Sequence, residues 1–254
     1  MTVATLRTRG IDRALQILQF LQEWRKPISV GELARRIGAP RSSLYKIVAG
    51  LRAGGILAEV DAEGRVFFGR AVYFYADAYL SSQTLVSLGR DEVIKLAQIT
   101  GETAQLCMLL GNKYTAAYTQ PGSSLFRITS EVGVLVPIPW TASGRLLLTG
   151  MTDRQIRALI PPEDLHIPDG SVIPLVDFVR EVRRAQELGY AITRGLVDKH
   201  TTCLAAPILD QSKQAVATIC FVVPVNTSSE KEAELIGTLL NASRVLTEHH
   251  RREC

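Results

Sequence analysis

At 254 residues, 46% of them apolar and 21% charged, the chain has room for a small globular domain plus one of ordinary size. No apolar run approaches the roughly 20 residues that a membrane helix needs, and MTVATLRTRGIDRAL lacks a signal-peptide core, so a cytoplasmic protein with no membrane partner is expected. Charge is unevenly spread: residues 1–70 carry twelve Lys/Arg against six Asp/Glu, and residues 71–254 carry seventeen against nineteen, which points the N-terminal part toward a polyanion.

Ile11, Ala14, Leu15, Leu18 and Leu21 predict a first helix. Ser29 and Glu32 have capping-box spacing, and Val30, Leu33, Ala34 and Ile37 form the buried stripe of a second helix that stops at Gly38. Pro40 suits the first turn of a third. There Leu44, Ile47, Val48 and Leu51 recur at helical spacing, while Ser42, Tyr45, Lys46 and Ala49 form an outward stripe. Arg41 stands at the helix start. Short donors and cations near a helix N-terminus are what a recognition helix presents to base edges and phosphates. Gly54-Gly55 ends it, and ILAEV, a DAEG turn and RVFF read as a two-stranded wing. The DNA-binding candidates are Arg41, Ser42, Ser43, Tyr45, Lys46, Arg9 and Arg65, with Arg7, Arg35, Arg36 and Arg52 as further phosphate contacts.

From Ala71 the pattern turns helical, with an aromatic cluster of Tyr73, Phe74, Tyr75 and Tyr79 that exceeds what a small domain covers. A linker helix packing against a second subunit is expected. Another helix runs through Val93, Leu96 and Ala97 to Gly101. TAQLCMLLG, KYTAAYTQ and the stretch through Val134-Leu135-Val136 read as strands, and Ser143 to Leu148 as a helix entry. Thr152 and Gln155 have capping-box spacing. A helix follows from about Val176 to Leu188, then strands YAITRGLV, TCLAAPIL and AVATICFVV, and a last helix capped by Ser229 and Glu232. The expected class is α+β: a winged helix-turn-helix, a linker helix and a domain with a central antiparallel sheet. The domain limits are 1–70, 71–88 and 89–254.

Catalytic sets are missing. Thr141-Ala142-Ser143-Gly144 lacks the leading glycine of a nucleophile elbow. No phosphate-cradling glycine loop occurs, and His166, His200, His249 and His250 fall in loops or a charged tail. Cys107, Cys203, Cys220 and Cys254 show neither CxxC nor Cys/His ligand spacing, so neither a metal nor a cofactor is expected.

These residues resemble the IclR family of bacterial transcriptional regulators over nearly the whole chain. GIDRALQILQFLQEW resembles the family's opening helix, ELARRIGAPRSSLYKIVAGLRAGGIL its helix-turn-helix, and GRVFFGR, more loosely, the end of its wing. TGETAQLCMLLGNKYTAAY is similar to the start of its effector domain. PIPWTASGRLLL and GYAITRGLVDKHTTCLAAPILD are similar to two further effector-domain segments, the first with Gly144-Arg145 where the family has Gly-Lys. The resemblance implies a GAF-like effector domain, a homodimer or tetramer, double-stranded operator DNA with palindromic character, and a pocket for a small effector, often a carboxylic acid. Carried over by position, the pocket residues are Ala142, Ser143, Thr193, Cys203, Cys220 and Val222, with Trp140 narrowing or lining it. Where many members have an acidic run, this chain has Thr193-Arg194-Gly195-Leu196. Its small and apolar candidates favour an aromatic or medium-chain acid, with Arg194, Lys199 and His200 available as positive charge near the mouth, unless alternation along the strand turns Arg194 to solvent instead. The expected function is effector-controlled transcription regulation, without enzymatic activity. The alternatives are a redox-sensing regulator through a Cys203–Cys220 disulfide and an enzyme fused to a DNA-binding domain.

Overall fold

A computed structural model describes residues 10–82, 84–123 and 132–253, so Arg7 and Arg9 lie outside the described residues. Packing divides the chain into two compact units, Met1–Ser82 and Gln83–Cys254. In the first, α1 (Gly10–Trp24), α2 (Val30–Arg36) and α3 (Arg41–Ala53) precede a hairpin of β1 (Leu57–Glu59) and β2 (Val66–Phe68), and α4 (Ala71–Ser82) follows. The hairpin sets Leu57 opposite Phe68 and Glu59 opposite Val66. Val66 also bridges to Ile28, tying the wing to the segment ahead of α2. Ile17 and Leu21, Leu33 and Ala34, Leu44 and Val48, and Leu57 and Val66 make one core.

Two local expectations change in this unit. Ile11 and Leu15 are 75% and 55% exposed, because α1 turns Ile17 and Leu21 inward and Leu15 falls on nearly the opposite face. Ser29 does cap α2, its Oγ accepting the Glu32 N–H at 3.3 Å. The Glu32 carboxylate, however, pairs with Arg35 and Arg36 instead of closing the capping box.

The second unit opens with α5 (Thr84–Thr100), β3 (Thr103–Leu110) and β4 (Lys113–Gln120). Then come β5 (Val136–Pro137), a 3-10 turn at Ile138–Trp140, the short α6 (Ala142–Leu146), α7 (Asp153–Leu159) and a second 3-10 turn at Pro162–Leu165. The chain continues through α8 (Leu175–Leu188), β6 (Ala191–Arg194), β7 (Thr201–Leu209), β8 (Ala215–Pro224) and α9 (Ser229–Glu253). The expected linker span 71–88 therefore takes in α4 and the start of α5, whose Leu85 is already in the core of the second unit.

The strands form one antiparallel sheet in the order β5-β4-β3-β8-β7-β6. Alternation gives it two buried faces. Leu204, Ala206 and Ile208 of β7 and Ile219, Phe221 and Val223 of β8 pack against α5 and α9. Cys203 and Ala205, with Cys220 and Cys107, face α6 and α8 on the other side. β5 is shorter than the expected strand: Val134 and Leu135 stay outside it, and 46% and 42% exposed. The cap of α9 also moves one residue upstream. Ser228 Oγ accepts the Lys231 N–H at 3.2 Å, and the Glu232 carboxylate is drawn to Arg194 instead.

Candidate functional site

The outer face of α3 carries Arg41, Ser42, Ser43, Tyr45 and Lys46, all exposed, while Leu44 and Val48 hold the helix to the core. Pro40 precedes the helix, and no side chain caps it, which leaves first-turn N–H groups open to a phosphate oxygen. Charge on this unit is selectively spent. Arg35 and Arg36 pair with Glu32, and Arg52 with Glu59 at 2.8 Å. Arg65 is folded back onto its own wing turn, 2.6 Å from Asp61 and 3.1 Å from Glu63. Among the described residues Arg41 and Lys46 make no ion pair, so the unspent cations of the motif lie on the recognition face. Of the DNA-binding residues read from sequence, five share this face, Arg65 sits apart in the wing, and Arg9 is not described.

Six of the seven expected pocket residues converge where α6 meets the sheet. Thr193 lies opposite Cys203, Cys203 opposite Val222, and Ala205 opposite Cys220, so these side chains share the α6 face of three adjacent strands. The Thr193 hydroxyl accepts the Ala142 N–H at 3.0 Å. Ser143 Oγ is buried without a hydrogen-bond partner. Trp140 is held differently: its indole N–H donates to the Asp164 carbonyl at 2.9 Å. A third thiol joins the set, with Cys107 Sγ 3.9 Å from Cys220 Sγ. Cys107 is not among the pocket residues expected from the sequence. Only the register of β3 against β8, with Gln105 opposite Cys220, reveals it.

The Cys220 thiol beside Cys203, together with burial, pushes the Cys203 thiol well above its ordinary pKa, against the Ser143 and Ala142 N–H groups. For Cys220 the neighbouring Cys107 thiol is the main cause of an upward shift, and burial adds to it. Both thiols are neutral at physiological pH, which makes them poor nucleophiles. Arg194 does not serve the pocket as expected. Strand alternation sends it to the other face of the sheet, where its guanidinium pairs with Glu232 of α9.

Two residues build the platform beneath this site. A Cβ on Gly144 would lie 1.9 Å from the Ile138 carbonyl oxygen, so only glycine lets α6 pack against the preceding turn. Arg145, buried to 5% exposure, is bound by Glu181 at 2.6 and 2.9 Å and by the carbonyls of Pro139 and Thr141. It ties α6 to α8 and to the 3-10 turn with charge-assisted bonds. Among the described residues no group of His, Cys, Asp and Glu is placed to hold a metal, and no helix is long and apolar enough to cross a membrane.

Residues 77–248 match the family described as bacterial transcriptional regulator IclR C-terminal, and residues 10–61 match the IclR helix-turn-helix domain. The chain belongs to the IclR family. Its members are transcriptional regulators and not enzymes, and the helix-turn-helix makes this chain a DNA-binding one. It is 20% identical to the transcriptional repressor IclR of Escherichia coli (strain K12) over 93% of this chain and 88% of that protein. In fold it is similar to an IclR transcriptional regulator from Alicyclobacillus acidocaldarius, with a TM-score of 0.83 and 17% identity over 94% of this chain and 97% of that one. It is similar also to an IclR homologue from Microbacterium hydrocarbonoxydans crystallised with 4-hydroxybenzoate. That comparison has a TM-score of 0.82 and 18% identity, covering 95% of this chain and 100% of that one.

Proposed function

We propose that this IclR-family regulator is a repressor whose α3 reads operator DNA, and that an aromatic or medium-chain carboxylic acid bound between α6 and the sheet releases it. The observation that carries the reading is the buried hydroxyl of Ser143, which has no nitrogen or oxygen partner and only the weakly bonding Cys220 thiol beside it, at the point where Ala142, Thr193, Cys203, Cys220 and Val222 meet. A buried polar group without a partner costs about 1–3 kcal/mol, a cost that a ligand's polar end recovers. Apolar walls with few polar groups select a ligand with an apolar body. The name of the Escherichia coli relative supports repression, and the 4-hydroxybenzoate held by the Microbacterium homologue supports the aromatic class. Because one helix-turn-helix reads too few base pairs for useful specificity, the active unit is at least a dimer on a near-palindromic site. Ligand binding acts by favouring one of two relative placements of the recognition helices.

Calorimetry against 4-hydroxybenzoate, benzoate, pyruvate and glyoxylate tests the ligand class. Binding of the aromatic acids is expected, and Cys203→Trp fills the pocket and abolishes it while operator binding persists. Micromolar binding of glyoxylate or pyruvate, with no response to the aromatic acids, contradicts the assignment.

A further inference from the structure

A cleft of about 430 Å³ runs along β6 beside α8 and the ion pair of buried Arg145 with exposed Glu181. Of the seven residues expected at the effector pocket, only Thr193 borders it. Its walls are of two kinds. Leu188, Tyr190, Ile192 and Leu196 present an apolar surface, and Leu188 is 48% exposed at the end of α8.

The charge in the cleft is unbalanced. Glu181 is spent on Arg145, and Arg194 is spent on Glu232. Along α8, Arg180 pairs with Asp177 at 2.7 Å and Arg183 with Asp153 at 2.5 Å. Arg184 lines the cleft, is exposed, and makes no ion pair among the described residues. The one unspent charge in the cleft is therefore a guanidinium beside an apolar surface. The volume is that of a small-molecule site.

We infer that this cleft is a second ligand site, separate from the pocket at the thiols, and that it takes an amphipathic monoanion. The anionic head, a carboxylate or sulfonate, sits on the Arg184 guanidinium, whose planar fork suits two oxygens. The hydrocarbon body lies over Leu188, Tyr190 and Leu196 and reaches Ile192, whose side chain packs toward the α5–α9 core, only at the open edge of β6. An occupant also touches Thr193, whose hydroxyl holds the first N–H of α6, so the cleft and the effector pocket share one hydrogen-bonded wall. A neutral molecule of the same shape gains the apolar contact and lacks the charge-assisted one.

Methyl NMR of the full chain titrated with octanoate, and separately with octanol, locates the occupant. Octanoate is expected to shift the methyls of Leu188, Ile192 and Leu196, with at least tenfold weaker binding of octanol. Arg184→Glu, a surface change on α8, is expected to remove those shifts while leaving the melting temperature unchanged. Absence of shifts at Leu188 and Ile192, or their persistence at equal affinity in Arg184→Glu, overturns the inference. Shifts at Ala205 and Val222, which do not line the cleft, report the effector pocket separately, so failure at one site is distinguishable from failure at the other.

Discussion

Under α6, Cys220 is buried and Cys203 half-buried, and the neighbouring thiol that each faces, together with burial, pushes both thiol pKa values up. Their raised folded-state pKa has a sign in stability. Below the ordinary thiol value of about 8.5 both folded and unfolded states are protonated, and the contribution is fully present. Above it the unfolded chain releases protons that the native state keeps, so stability falls as pH rises. The melting temperature of the wild type is expected to drop between pH 8 and 9.5 more steeply than that of Cys203→Ala/Cys220→Ala. Parallel curves would show that these thiols ionise normally. Arg65 illustrates how residue identity alone misleads. The sequence counts it as a cation in the wing, yet Asp61 and Glu63, four and two positions away, neutralise it through a turn that charge counting does not see.

Among elements, α6 is the most demanding. Its packing depends on Gly144, where a Cβ meets the backbone oxygen of Ile138 rather than the end of a flexible side chain. Gly144→Ala is expected to destabilise the second unit by about 3 kcal/mol and to shift its thermal transition while leaving that of the first unit in place. An unchanged melt would show that the turn at Ile138–Trp140 relaxes freely. Most elements were legible as patterns of period 3.6 or 2: α3 follows its expected apolar positions, and α8, β7 and β8 their expected spans to within a residue. What misled was local competition for partners. Glu232 was read as part of a helix cap and is held by Arg194 across the sheet edge. Arg194 was read as a pocket charge, and strand alternation puts it on the opposite face. Such outcomes depend on which distant side chain arrives, and spacing within one segment does not contain that information. The resemblance to the family picks out residues that the fold brings together under α6, and Cys107 joins them only through the register of β3.

At the scale of the whole molecule, α4 exposes Tyr73, Phe74 and Tyr75 at 70%, 64% and 61%. Exposed apolar surface of this kind fits the dimer proposed above, in which two copies each supply one recognition helix. Tyr73→Ser/Phe74→Ser is expected to sediment as a smaller species than wild type at micromolar concentration and to lose operator affinity. A wild-type monomer that still binds operator tightly would contradict the dimer. The account as a whole rests on the outer face of α3, where Arg41 and Lys46 are the cations left without carboxylate partners. The most direct test titrates operator duplex, obtained by affinity selection from random DNA, with wild type, Arg41→Ala and Lys46→Ala at several salt concentrations. A loss of about 1–3 kcal/mol is expected for a bidentate base contact, or a salt slope lower by about one for a phosphate contact. Unchanged affinity and unchanged slope in both variants would place DNA recognition elsewhere on the molecule.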